Sequence, residues 1–236
     1  MEPLVVTLTM GGPLALPARK RPYPLILDSI VVEIVAKLNG ETDCPLTTEN
    51  SPYNPETGNL KIPLAVAGKN KKYYCASVME ISNKAEARAI GLTKKTTCWL
   101  EDFSGYMVNR INPNIDGGIY APAVEMYRLI LTPYVRFYCV GEAGALREIL
   151  DCLRYTGIGV RRAVGLGEVL HVDVKPISED YGSVSRDGSP ARYIPVDEMV
   201  PGQGWLMDYC SYRPPYWNEE NKDMCWVPPL YRWMPV

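Results

Sequence analysis

Eleven residues constrain this chain more than any other stretch: Gly157-Ile158-Gly159-Val160-Arg161-Arg162-Ala163-Val164-Gly165-Leu166-Gly167. Two Gly-x-Gly pairs enclose an insert carrying adjacent arginines. Glycine is favoured where a backbone takes positive φ or lies close against another surface. Four glycines at this spacing therefore predict a loop whose main chain admits a close neighbour, and Arg161 and Arg162 favour an anionic one.

The flanks decide what kind of loop this is. Upstream, Leu146, Ile149, Leu150 and Leu153 fall at i, i+3, i+4 and i+7, the apolar stripe of a helix. Gly157 follows where a C-terminal cap glycine belongs. Downstream, Leu170, Val172 and Val174 alternate with His171 and Asp173, which predicts a strand with the three aliphatics on one face. The order is helix, glycine loop, strand. A dinucleotide or P-loop site needs strand, loop, helix, because the phosphate rests on the helix N-terminus. The spacing fails as well, since the third glycine of G-x-G-x-x-G falls on Arg162. A nucleotide cofactor is disfavoured, and none is expected.

The remaining candidates for an anion are a nucleic-acid backbone and a purely structural loop. A formal net charge of −2 excludes a uniformly basic coat but leaves room for a basic strip. Lysines and arginines do cluster, at Arg19-Lys20-Arg21, at Lys69 with Lys71-Lys72, at Lys94-Lys95 and at Arg161-Arg162. Seven cysteines are scattered without a C-x-x-C, so neither a disulfide framework nor a zinc site is expected; Cys139 and Cys152 read as buried thiols. The start lacks a signal-peptide pattern and no stretch reaches membrane-helix length, so the expected setting is cytoplasmic. His171 is the only histidine, reads as a solvated or core-edge residue, and has no second histidine to partner it.

Taken in order, Leu4, Val6, Leu8 and Met10 alternate as one face of a strand that ends at Gly11-Gly12-Pro13. A basic extended loop follows over 17–24. Asp28 is placed to cap a helix over 29–39, closed by Asn39-Gly40. Residues 41–58 read as an inserted, turn-rich excursion. Leu60–Val66 and Tyr73–Ile81 predict a hairpin with a lysine tip, either solvated or touching phosphate. Ala85–Ile90 suggests a helical turn, Lys94–Leu100 a strand or thumb-like segment, and Asn109–Gly118 a loop. Met126–Val140 is β-rich and bent at Pro133. Stripped of insertions, the order is β-α-β-β-α-β, an α+β, ferredoxin-like (RRM-like) arrangement. It spans 1–177, with insertions at about 41–58 and 84–120. Residues 178–236 form an extension, first rich in Gly, Ser and Pro and wrapping the surface. Its end is rich in Trp and Tyr, suited to stapling a tail to its own domain or to a partner, or to stacking on bases.

A glycine-rich loop between the last helix and last strand of such an order resembles the RAMP superfamily of CRISPR-associated RNA-binding proteins. Gly157, Gly159, Gly165, Gly167 and the Arg161-Arg162 pair carry the likeness, with the first strand and helix and the Asp187–Pro195 segment in support. Within the superfamily the chain looks most like the type IV effector subunit that caps the 5′ handle of the guide RNA. The resemblance implies a non-catalytic subunit that binds guide RNA, joins backbone and large effector subunits, and helps them find complementary DNA. Arg19, Lys20, Arg21, Lys69, Lys71, Lys72, Lys94 and Lys95 join the loop as candidate RNA contacts. Two alternatives remain open: a RAMP endoribonuclease processing precursor guide RNA, and a ferredoxin-like metabolic protein unrelated to nucleic acid. His171 lies in the last strand rather than near the first helix, where such nucleases carry their base, so no catalytic residue is assigned.

Overall fold

The computed structural model describes residues 1–17, 24–39, 60–82, 85–94 and 123–229. The chain is α+β, with two principal helices and several antiparallel sheets. The alternation at the start forms β1 (Glu2–Met10), and a second strand unforeseen from sequence, β2 (Leu14–Pro17), follows the Gly11-Gly12-Pro13 turn. Helix α1 spans Leu27–Leu38; then come β3 (Val66–Ala67), β4 (Tyr73–Tyr74), β5 (Glu80–Ile81) and β6 (Glu86–Lys94). Strands β7 (Ala123–Leu131) and β8 (Tyr134–Gly141) flank Pro133. Helices α2 (Ala143–Asp151) and α3 (Leu153–Thr156) precede the glycine loop, and β9 (Val169–Pro176) follows it. Three further strands, β10 (Ile194–Pro195), β11 (Leu206–Ser211) and β12 (Lys222–Val227), belong to the extension.

The central sheet has the order β5-β8-β1-β9 and is antiparallel throughout. Its helix-facing side carries Leu4, Val6, Leu8, Val135, Phe137 and Cys139, which pack with Val31 and Val35 of α1 and Leu146 and Leu150 of α2. Each large aliphatic or aromatic chain fully buried there contributes roughly 1.5–3 kcal/mol. A second sheet, β2-β7-β6, shares no strand with the first. The chain changes sheets at Pro133, whose carbonyl accepts the Met10 N–H at 3.0 Å. A third sheet, β10-β12-β11, covers a second core of Ile26, Tyr73 and Val78 against Tyr193, Ile194, Cys210, Tyr212 and Cys225.

Several expectations are corrected. Asp28 does not cap α1: Ile26 occupies that position, and Asp28 sits buried in the first turn. Of the expected Ala85–Ile90 helical turn, Glu86–Ile90 belong to β6, because nine cross-strand partners on β7 override the local helical preference of Ala, Glu and Arg. Leu170 faces outward at 54% exposure, since a bulge opposite Thr9 and Met10 puts Val169 into the core instead. The predicted hairpin forms a ladder only two residues long, β3 with β4. Cys139 is buried, whereas Cys152 is only half-buried. Residues 178–204 do not simply wrap the surface, because Ala191, Arg192, Tyr193 and Ile194 are buried.

Arg192 fastens the extension to the core. It is wholly buried, 3.2 Å from the equally buried Asp28 carboxylate. Its guanidinium also donates to the carbonyls of Tyr74, of Ala76 at 3.3 Å and of Tyr212 at 2.5 Å, and lies over the Tyr73 ring. The Tyr216 hydroxyl donates to both Asp28 oxygens, at 2.8 and 2.9 Å. Burial pushes the Tyr216 phenol well up, so it keeps the proton that it donates.

Candidate nucleic-acid interface

Gly157 sits at the C-cap of α3 with φ of 65°, as the sequence implies. A Cβ on Gly157 would lie 2.7 Å from the Gly167 carbonyl oxygen, one on Gly159 2.7 Å from that of Ala15, and one on Gly167 1.8 Å from that of Ile158. These three glycines let the two ends of the loop close on each other and on β2. Ile158 N–H donates to Gly167, Gly167 N–H to Pro13 and Val160 N–H to Ala15. The Gly157 and Gly165 N–H groups also donate within the chain, to Leu153 and Arg162. The N–H groups of Gly157, Gly165 and Gly167 are thus engaged within the chain.

Gly165 differs. Its φ is 82°, yet nothing lies within 4 Å of a Cβ placed there. Gly167→Ala, with φ of 72° and a carbonyl in the way, is therefore expected to lower the unfolding free energy obtained from urea titration by at least about 2 kcal/mol. Gly165→Ala should cost only the left-handed penalty, about 1–2 kcal/mol.

The insert orients the arginines. Arg161 is the only described non-glycine residue with positive φ, at φ 60° and ψ 31°. Such a backbone costs about 1–2 kcal/mol and persists only where the surroundings impose it. Here the Arg161 Nε donates to the Tyr127 hydroxyl at 2.7 Å, and the guanidinium lies 5.2 Å from the Tyr127 ring centroid. Arg162, in contrast, reaches α1. It opens a single 3-10 turn, Arg162–Val164, and places Nη2 3.1 Å from Glu33 Oε1. Glu33 also takes Lys37 at 2.5 Å. Burial raises the Glu33 carboxyl, but the hydrogen bonds from Lys37 and Arg162 outweigh it and hold the group below its ordinary value. Adjacent in sequence, the two arginines therefore serve two different elements.

A cleft of 240 Å³ opens between α1, α3 and the start of the loop, with Glu33, Lys37 and Arg162 among its lining residues. A larger hollow of 430 Å³ by the β1–β2 turn has Glu86 as its one charged lining residue among the described residues, a poor place for phosphate.

The lysine hairpin lies elsewhere and is held by the extension. The Asn70 and Lys71 N–H groups donate to Glu198 at 2.8 and 2.7 Å, with Lys69 N–H beside them. Lys71 Nζ binds Asp223 and, at 2.9 Å, Asp197; both hydrogen bonds push its pKa up. Lys72 Nζ donates to the Gly68 carbonyl at 2.6 Å, and Lys69 is exposed. Burial raises Glu198, but the three backbone donors prevail and hold it below its ordinary 4.5. A carboxyl depressed on folding stabilises above its unfolded pKa, and that contribution is lost as pH falls through the lower folded value. Protection factors of the Asn70 and Lys71 amides are therefore expected to fall as pH drops below about 4.5, and Glu198→Gln should reproduce the loss at neutral pH.

Lys94 closes β6. Arg19, Lys20, Arg21 and Lys95 lie outside the described residues, as do the predicted 41–58 excursion, the rest of the 94–100 segment and the 109–118 loop. His171 is exposed on β9, paired with Thr9. Among the described residues no group of three or more His, Cys, Asp or Glu side chains is placed to hold a metal, and no helix is long and apolar enough to cross a membrane. Glu33, Lys37 and Tyr127 escaped the sequence reading. The i, i+4 spacing of Glu33 and Lys37 was a visible signal, whereas nothing local announced the Tyr127 contact.

No curated protein matches the chain. A family model does, that of the CRISPR type IV associated protein Csf3, over residues 2–228. With nearly its whole length matched, the chain belongs to the Csf3 family of type IV CRISPR-associated proteins.

Proposed function

We propose that this Csf3-family chain is a non-catalytic subunit that grips single-stranded guide RNA at its 5′ handle through the glycine loop. Its core is then a ferredoxin-like domain of the RAMP type. That reading is supported by the antiparallel order β5-β8-β1-β9, with helices between β1 and β5 and between β8 and β9. The observation that carries the RNA assignment is the loop itself: a left-handed Arg161 anchored on Tyr127, and an Arg162 that lines a cleft. An exposed guanidinium on a rigid frame suits a phosphate backbone, to which it gives charge-assisted bonds without reading sequence. Other effector subunits are the expected neighbours, and guide–target base pairing supplies the specificity for DNA.

The test is an anisotropy titration of the purified chain with repeat-derived single-stranded RNA and length-matched DNA, between 50 and 200 mM salt. The reading expects RNA to bind more tightly, with log K falling linearly against log salt. Equal affinity for both strands, or salt-independent binding, removes it. Metal-free incubation should leave the RNA intact; specific cleavage would favour the endoribonuclease alternative.

A further inference from the structure

The cleft beside the loop has a composition that the backbone grip alone does not use. Its walls are aliphatic, from Leu25 and Ile30 on the α1 side and Leu153 and Ile158 on the other. Its polar lining carries Ser29, Thr156 and Glu33, with the cations of Lys37 and Arg162. The Ser29 hydroxyl donates to the Ile26 carbonyl at 2.7 Å and the Thr156 hydroxyl to that of Cys152 at 3.2 Å. With their protons so engaged, both hydroxyls offer lone pairs, and the Glu33 carboxylate is acceptor-only. The cleft thus combines hydrogen-bond acceptors with apolar walls and two cations.

Size narrows the occupant. At 240 Å³ the space lies below the roughly 300–1,000 Å³ of sites for drug-sized ligands, yet is several times the roughly 30 Å³ share of one water. A small, flat group bearing N–H donors and linked to an anion fits both the volume and the charge pattern.

We infer that the cleft between α1 and α3 receives a single unstacked nucleobase of the bound RNA, one presenting an amino group. This rests on the RNA-binding reading above and deepens it. The aliphatic walls lie against the base faces, as in pockets that hold extruded bases. Ser29, Thr156 and Glu33 accept from its edge, while Arg162 and Lys37 meet the adjoining phosphate. Glu33 takes a double role, since the carboxylate that now pairs with both cations becomes the edge acceptor once phosphate takes their place.

The experiment is an abasic scan of a repeat-derived RNA, each nucleotide stripped of its base in turn, against the wild-type chain and two variants. Leu38, at 66% exposure, and Thr156, also exposed, line the cleft from opposite elements, so Leu38→Trp and Thr156→Tyr obstruct it without entering the core. Thermal melts identify whichever variant folds normally. The wild type should lose about tenfold in affinity at one abasic position. The obstructed variants should bind intact RNA about tenfold more weakly and be indifferent to that same position. RNA binding with no position coupled to the variants overturns the base pocket and leaves the backbone grip standing. Failure of the wild type to bind any RNA overturns both.

Discussion

Arg192→Leu is expected to lower the unfolding free energy by about 3–5 kcal/mol, the usual cost of stripping one partner from a buried ion pair. For a chain of this length that is a fall in melting temperature of roughly 6–20 °C. The loss has two parts that a second variant separates. Removing the guanidinium leaves Asp28 ionisable with no cation beside it, and it also leaves the carbonyls of Tyr74, Ala76 and Tyr212 without their donor. The double variant Asp28→Leu with Arg192→Leu removes the lone charge but not the orphaned carbonyls, each worth about 1–3 kcal/mol when buried and unsatisfied. Partial recovery in calorimetry is therefore expected. Full recovery would mean that the carbonyls find other donors and that Arg192 acts chiefly as a counter-ion. The damage should concentrate in the third sheet, because Arg192 and Tyr216 join that sheet's segment to α1.

The second large effect concerns the loop. Charge reversal of Arg161 and Arg162 together is expected to weaken binding to single-stranded RNA by one to two orders of magnitude and to shrink the salt slope. Each lost phosphate contact removes about 0.7 from that slope on a single strand, so two remove about 1.4. The two residues should not contribute alike. Arg161 is half-buried and supports Tyr127, so its reversal also strains the loop. Arg162 is more exposed, and its pair with Glu33 is open enough to solvent to be worth under about 1 kcal/mol, so Arg162→Glu alone should change affinity with little change in melting temperature. An unaltered affinity and slope in the double variant would refute the proposed grip.

The strands of the central sheet were legible where a regular period meets a one-sided environment. β1 shows this best, since Leu4, Val6, Leu8 and Met10 all enter the core as the alternation requires. The same reasoning fails at Leu170, because a bulge resets the register. The bulge belongs to tertiary packing: the Leu170 side chain lies across Gly11, where a Cβ would meet it at 2.8 Å. Asp28 misled for a related reason. An aspartate before an apolar helical stripe carries the signature of a cap, and only the distant Arg192 and Tyr216 turn it into a buried counter-ion. In the loop, glycine spacing showed that something lies close to the main chain. It did not show that the close neighbours are mostly the chain itself, Ile158, Ala15 and Pro13.

The pairing of β1 also sets a schedule for making the protein. This strand leaves the ribosome well before its two neighbours, β8 and β9, with which it pairs so that Leu4 aligns with Cys139 on one side and Pro176 on the other. At synthesis rates of about 5–20 residues per second, roughly 10–30 s pass before the second partner is available. Through that interval an apolar strand waits with unpaired edges, the condition that favours pairing with the wrong chain. Yield of soluble protein should therefore depend on slow growth temperature or chaperone supply more than its final stability would suggest. A circular permutant that starts at β8 would shorten the wait.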